Sequence, residues 1–240
     1  MHLGLVIIVV VIASAVGTIT GFGTSTIMVP VMLVFYPAPE TLLFVGIIHW
    51  FGNLWKVILF KHGFRWKITL TFGLPGILAS FLGALLMFRI TPQVLSRALG
   101  AFIIAYVIYL FAKSSFKVSR GILTSICGGA ASGFMAGVFG IGGAVRALFL
   151  SAFDLPKAVY ISTAGAIALA VDTTRLTTYL AGGAHLESIG FWILPPAVIA
   201  SFLGAKLAKR IVDRIPQARF RTVIAGFLLL IALKLLIWPT

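Results

Sequence analysis

The sequence predicts an all-α polytopic membrane protein made of two homologous four-segment repeats. Three observations predict it. Apolar stretches of about 18 or more residues recur along the whole chain. The chain of 240 residues is 60% hydrophobic and 10% charged, with a mean hydropathy of +1.13, where soluble domains run near 25% charged. And the hexapeptide ASFLGA stands at 79–84 and again at 200–205.

The flanks turn the hexapeptide into a repeat. At an offset of 119, GFGTS (21–25) meets GIGGA (140–144), Pro37 meets Pro156, and NLWK (53–56) meets DTTR (172–175). Gly63 meets Gly182, and after a two-residue slip ASFLGA meets ASFLGA, then Arg89-Ile90 meets Arg210-Ile211. An offset that grows in one direction by small steps is what duplication followed by loop insertions leaves. The boundary divides the chain into a first repeat, 1–117, and a second, 118–240, of one membrane domain.

Each repeat holds four apolar segments: about 3–36, 41–60, 68–88 and 94–112, then 121–153, 157–181, 188–208 and 218–238. The N-terminal MHLGLVIIVVVIASAVG lacks a basic start and runs on into further apolar sequence, so it reads as retained rather than as a cleaved signal. The first segment of each repeat is too long for one span: 34 helical residues reach about 51 Å against roughly 30 Å of hydrocarbon. Both carry a Gly-x-Gly near the middle, where glycine breaks the helix. Irregular backbone at membrane depth persists only where protein or water covers it. Each long segment is therefore either a steeply tilted broken helix or a re-entrant pair of half-helices.

The 19 Lys and Arg give a formal charge of +14, most of it between apolar segments. This reads as topology, not as a nucleic-acid surface. With eight ordinary spans, the strongly cationic 206–221 would lie outside while 61–67 and 113–120 lie inside, which breaks the positive-inside rule. If 3–36 and 121–153 dip in and return, the second repeat is inverted and all three loops become cytoplasmic. The loop charges favour the inverted arrangement, and internal repeats of this kind belong to secondary transporter folds.

The paired glycine motifs TGFGTS and FGIGGA, the proline after each, and the four-plus-four segments resemble the sulfite exporter TauE/SafE family of membrane permeases over nearly the whole chain. Here the glycine run is degenerate, with Thr24 and Ser25 where the second repeat has Gly143 and Ala144. The resemblance implies an anion permease, with sulfite, sulfoacetate and related sulfur-containing anions as the expected cargo, in a prokaryotic inner membrane.

The residues supply their own chemistry. A helix that restarts after a glycine break offers unpaired N–H groups and its positive dipole end, an anion site at membrane depth. The candidates for substrate binding are Gly21, Gly23, Thr24, Ser25, Thr26, Gly140, Gly142, Gly143, Arg146 and Arg175. Charges inside apolar segments cost about 2.5–3.5 kcal/mol each on insertion scales, so they call for a reason. Asp172 and Arg175 sit at i, i+3 and can pair. Lys56 and Asn53 occupy the corresponding places in the first repeat, and His49 precedes Asn53 by one turn. His49, Asn53, Lys56 and Asp172 are the candidates for coupling or support. A blander reading has Lys56 and Arg175 snorkelling to an interface, and the glycines at 17 and 21, and at 129, 133 and 137, as helix-packing positions.

Enzyme signatures such as HExxH, GxSxG or a Cys/His cluster are absent from the sequence, and with one cysteine, Cys127, there is no disulfide within the chain and no CxxC metal site. No cofactor is expected. There is no GxxxxGK[ST], so a gradient drives transport. The alternative is an intramembrane enzyme or a non-transporting membrane subunit. The expected partners are a small anion and the lipid bilayer, with homo-oligomerisation left open and no nucleic acid.

Overall fold

The structure, a computed structural model, describes residues 3–20, 23–60, 63, 65–111, 119–211 and 217–239. Among them the secondary structure is entirely helical: α1 (Leu3–Thr20), α2 (Ser25–Met32), α3 (Ala38–Leu59), α4 (Trp66–Met87), α5 (Pro92–Phe111), α6 (Ile122–Phe139), α7 (Gly143–Leu150), α8 (Lys157–Ala181), α9 (Leu194–Ile211) and α10 (Gln217–Ile237), with 3₁₀ turns at Ser151–Phe153 and Phe191–Ile193.

The helices follow the apolar segments, and their ends follow local chemistry. Both long segments are broken at their glycines, into α1 and α2 and into α6 and α7. Gly140 ends α6 in the left-handed region (φ +71°), and its N–H donates to the Ala136 carbonyl at 2.9 Å, a left-handed cap that favours glycine. Pro37 and Pro156 both stand as extended N-caps, of α3 and α8. Proline lacks the N–H that a helix start leaves unpaired and holds the entry outside helical geometry.

Helix packing is reciprocal between the halves. α4 packs on α6 as α1 packs on α9; α4 packs on α8 as α3 packs on α9; α3 packs on α8, and α5 on α10. Small residues allow the closest approaches. A Cβ at Gly129, Gly133 or Gly137 would run into the carbonyl of Phe72, Gly76 or Ser80 respectively. That ascending register makes α4 and α6 parallel, and it gives this glycine run a packing role. Gly17 packs on the backbone of Gly23 and Thr24, which fits its reading as a packing position. The α3–α8 register descends instead. Gly46 faces Arg175 and Leu176, His49 meets Asp172, and Asn53, Lys56 and Val57 face Gly165. These two helices are antiparallel.

Tertiary hydrogen bonds sort the helix ends onto two faces. Lys209 Nζ donates to the Leu59 carbonyl at 2.8 Å, Ser162 Oγ to the Gly63 carbonyl at 2.6 Å, and the Arg65 N–H to Thr163 Oγ1 at 3.1 Å. On the opposite face the Ile189 N–H donates to Glu40 Oε1 at 2.6 Å, and Phe88 covers Gly182. Glu40 is buried in the first turn of α3. Arg120, before α6, donates from Nη2 to the Phe153 carbonyl, after α7, at 3.1 Å. This bond ties the start of α6 to the end of α7.

The outer surface is apolar. Leu70, Leu74, Leu78 and Leu82 form an exposed stripe on α4, while Phe72, Gly76, Ser80 and Gly83 are buried on its other side. Trp66, Trp192 and Trp238 are exposed near helix ends, where aromatic rings sit at a membrane interface. Among the described residues four helices are long and apolar enough to cross a membrane: Ala38–Leu59, Trp66–Met87, Ile122–Phe139 and Phe191–Arg210. α8 falls outside that set although it is 25 residues long; it carries Asp172, Arg175 and a run of threonines.

Candidate functional site

The antiparallel crossing of α3 and α8 brings Asn53 against Asp172, the two residues that the 119-residue offset puts in correspondence. Asn53 Nδ2 donates to Asp172 Oδ2 at 3.0 Å. On each helix a cation follows one turn later. Arg175 Nε donates to Asp172 Oδ1 at 2.8 Å, and Lys56 Nζ donates to Asn53 Oδ1 at 3.1 Å. His49 adds a fifth side chain, its Nδ1 lying 2.7 Å from Asp172 Oδ2. An ionised carboxylate only accepts, so Nδ1 carries the hydrogen. All five are buried.

The glycine breaks close around this cluster. Gly23 has φ +85°, and a Cβ there would collide with His49 Nε2. Glycine is needed at this position both for its backbone and for the space. A Cβ at Gly52 would lie 3.3 Å from Thr24 Oγ1, so the start of α2 rests on α3. On the other side, Arg175 Nη1 lies 3.5 Å from where a Gly140 Cβ would stand and 3.3 Å from a Cβ at Gly46.

Tyr179 completes the wall. Its ring lies 6.0 Å from the Arg175 guanidinium carbon. Its hydroxyl donates to the Gly137 carbonyl at 2.5 Å and contacts the Ala136 carbonyl at 3.3 Å, satisfying acceptors that a helix end leaves open. In the sequence Tyr179 is marked only by its place one turn beyond Arg175 on α8.

Several buried donors stay unpaired. By hydrogen-bond geometry both terminal nitrogens of Arg175, Nε of Arg146, and the hydroxyls of Thr24 and Ser25 are unpaired, with the Tyr179 hydroxyl the polar group beside the guanidinium, although Arg175 is 0% exposed and Arg146 3%. Arg146 lies in the first turn of α7, within electrostatic reach of Lys56, Asp172 and Arg175. Burying a guanidinium with unmade hydrogen bonds is costly.

The candidates sort accordingly. The structure brings together His49, Asn53, Lys56, Asp172 and Arg175 with Gly23, Thr24 and Gly140. Thr26 is buried in α2, and Gly143 opens α7. Gly142 meets a different neighbour, for a Cβ there would strike the Ser132 carbonyl of α6, so it holds its own hairpin closed. Gly21 lies outside the described residues. Snorkelling of Lys56 and Arg175 is excluded by their burial, 4% and 0% exposed.

A chain whose described residues form only helices, with an apolar outer surface and a buried cationic cluster beside two glycine-broken helix pairs, is an integral membrane protein of the transporter class. The family described as sulfite exporter TauE/SafE matches residues 6–235, and the chain belongs to it: this is a membrane transporter of that family. It is similar to a probable membrane transporter protein of Methanocaldococcus jannaschii, with 28% identity over 259 aligned positions covering 98% of this chain and 96% of the relative.

Proposed function

We propose that this transporter carries a small sulfur-containing oxyanion, such as sulfite or an organosulfonate, across a prokaryotic inner membrane. The observation that carries this reading is the fully buried Arg175 fork with both terminal nitrogens unpaired by hydrogen-bond geometry. A guanidinium fork matches the spacing of two oxygens on a carboxylate, sulfonate or sulfite. Gly140 and Gly46 keep side chains away from Nη1, and Thr24 and Ser25 add hydroxyl donors at the restart of α2.

The two repeats work as an inverted pair. Three features support this: the antiparallel packing of α3 on α8, the Lys209–Leu59 bond that puts the ends of α9 and α3 on one face, and the Arg120–Phe153 bond that returns α7 to the start of α6. In this reading α1–α2 and α6–α7 are re-entrant hairpins from opposite sides. The face with exposed Arg65, Lys67, Lys157, Lys209 and Arg210 is cytoplasmic, as the positive-inside rule requires.

Transport is gradient-driven, with a proton as the coupling ion. Asp172 holds Arg175 in place, and His49 shares the same carboxylate. Protonation of that carboxylate would release the arginine and with it the anion.

The test is flux of labelled sulfite in proteoliposomes, with and without a pH gradient, for the wild type and Arg175→Gln. Saturable flux, accelerated by the gradient and lost in Arg175→Gln, is expected. Flux no faster than in protein-free liposomes for sulfite and for organosulfonates would refute the cargo class. Undiminished flux in Arg175→Gln would refute the site.

A further inference from the structure

The geometry points to Glu40 as a positioning residue for transport: its carboxylate latches residues 182–190 as a strap over the outer end of the site, and the latch must open for the site to meet that face. The inference rests on the transport reading and the topology given with it, and adds the closure on one face.

The strap shows in the pattern of burial. Between α8 and the 3₁₀ turn at Phe191–Ile193, Ala184, Leu186 and Ile189 are buried while His185, Glu187 and Ser188 are exposed. The buried three belong to the same apolar core as Tyr179, Leu42 and Leu43. Along α8 the order is Asp172, Arg175, Tyr179 and then the strap. The strap therefore lies beyond the wall of the site, toward the face opposite Lys209. The Ala184 N–H donates to the Tyr179 carbonyl at 3.0 Å, which joins the strap to that wall. Gly183 and Gly190 stand near its two ends with φ of +88° and +80°. A few such residues at the ends of a segment can absorb the backbone change of a hinge.

Glu40 fastens the strap from another helix. The Ile189 N–H donates to Glu40 Oε1 at 2.6 Å, across 149 positions of sequence. Glu40 stands in the first turn of α3 and is 6% exposed. A carboxylate that only complements a helix dipole does so from the surface. A buried one is costly unless it is hydrogen-bonded. A bond from an N–H to an ionised carboxylate is roughly twice as strong as a neutral one, so this single contact is a strong latch.

The cytoplasmic face is fastened by weaker groups. There the hydroxyls of Ser162 and Thr163 hold the Gly63 carbonyl and the Arg65 N–H. The repeat offset puts Val159 in the place of Glu40, so the second repeat has no carboxylate at this position. A conformational equilibrium follows the interactions made in one state and not in the other. Unequal latches on the two faces bias the transporter toward the state closed on the outer face.

The test takes Ala184→Cys as a reporter, in a Cys127→Ser background, with an impermeant thiol reagent in right-side-out vesicles. With the latch intact the buried thiol should react slowly. Glu40→Ala should speed its reaction at least about tenfold, the scale of one hydrogen bond to a charged group. Glu40→Gln keeps the shape and a carbonyl acceptor, so its rate should fall between the two; this variant keeps the test decisive where Glu40→Ala does not fold. Sulfite flux without the reporter is the second readout. In Glu40→Ala the half-saturating concentration should fall, by up to about tenfold, for sulfite presented at the outer face, and should not fall at the cytoplasmic face, because the outward-open fraction has grown. Lost folding lowers flux from both sides and moves neither side alone. Unchanged labelling in both Glu40 variants, or half-saturation shifted equally on the two sides, would overturn the latch. Absence of wild-type flux from either side would overturn the transport reading instead, and the labelling would still decide the strap.

Discussion

Replacing Arg175 by Gln should destabilise the protein more than replacing Arg175 and Asp172 together. The pair is in contact at 2.8 Å, with the arginine 0% and the aspartate 1% exposed. Breaking a buried ion pair from one side costs about 3–5 kcal/mol, because an uncompensated charge stays behind, whereas removing both members is often near neutral. In Arg175→Gln the stranded Asp172 keeps two donors, His49 Nδ1 and Asn53 Nδ2, and the substitution also removes two unpaired nitrogens. The loss therefore falls near the lower bound, about 3 kcal/mol. For a chain of this length that corresponds to a drop of about 6–12 °C in Tm. Asp172→Asn strands a guanidinium with no other carboxylate near it among the described residues, so its loss falls near the upper bound, about 5 kcal/mol. The double variant should recover most of the stability and none of the transport. Tryptophan-fluorescence melts in detergent for all four proteins give the coupling energy, and proteoliposome flux gives the second readout. Additive losses, with a coupling below about 0.5 kcal/mol, would refute the buried pair. Transport by the double variant would refute Arg175 as the group that holds the anion.

Gly23→Val should abolish flux while leaving membrane insertion intact, since it forces a β-branched residue into positive φ and into His49; normal flux would reduce Gly23 to a spacer. Gly133→Ala should cost about 1–3 kcal/mol by overpacking α6 on the Gly76 carbonyl, measured as a lowered Tm in detergent, and an unchanged Tm would mean that the two helices can part freely. Single cysteines in place of Gly63 and Lys209, in a Cys127→Ser background, should both resist an impermeant thiol reagent in right-side-out vesicles; labelling of one alone would mean parallel repeats. On the opposite face, His185 is held above its ordinary pKa by the Gly183 carbonyl, 2.6 Å from Nδ1, and by Glu187, 2.9 Å from Nε2. Its contribution to holding that loop is therefore complete below the unperturbed value and lost as pH rises through the raised one. Glu187→Gln should lower the His185 titration midpoint seen by NMR, and an unmoved midpoint would dismiss the contact.

The helices and their interruptions were legible in the sequence because they are local. An apolar run of membrane length has one stable backbone solution in lipid, and glycine and proline mark where it stops. Gly140 ends α6 and Pro37 and Pro156 open α3 and α8 for reasons that hold within a few residues. The cost of burying charge likewise drew attention to Arg146, Asp172, Arg175 and Lys56 before any contact was known. What the sequence could not contain is the crossing of α3 on α8. Residues 119 positions apart meet there because small residues such as Gly46 and Gly165 let two distant helices approach, and no local pattern encodes that register. The crossing joins Asn53 to Asp172, recruits His49 to the same carboxylate, and leaves the terminal nitrogens of Arg175 unpaired. It also separates glycines that look alike in the sequence: Gly23 and Gly140 open onto the cluster, while Gly142 only lets α7 fold back on α6. Burial and partnership are properties of the assembled bundle, and so the chemistry of the site was decided by the tertiary structure.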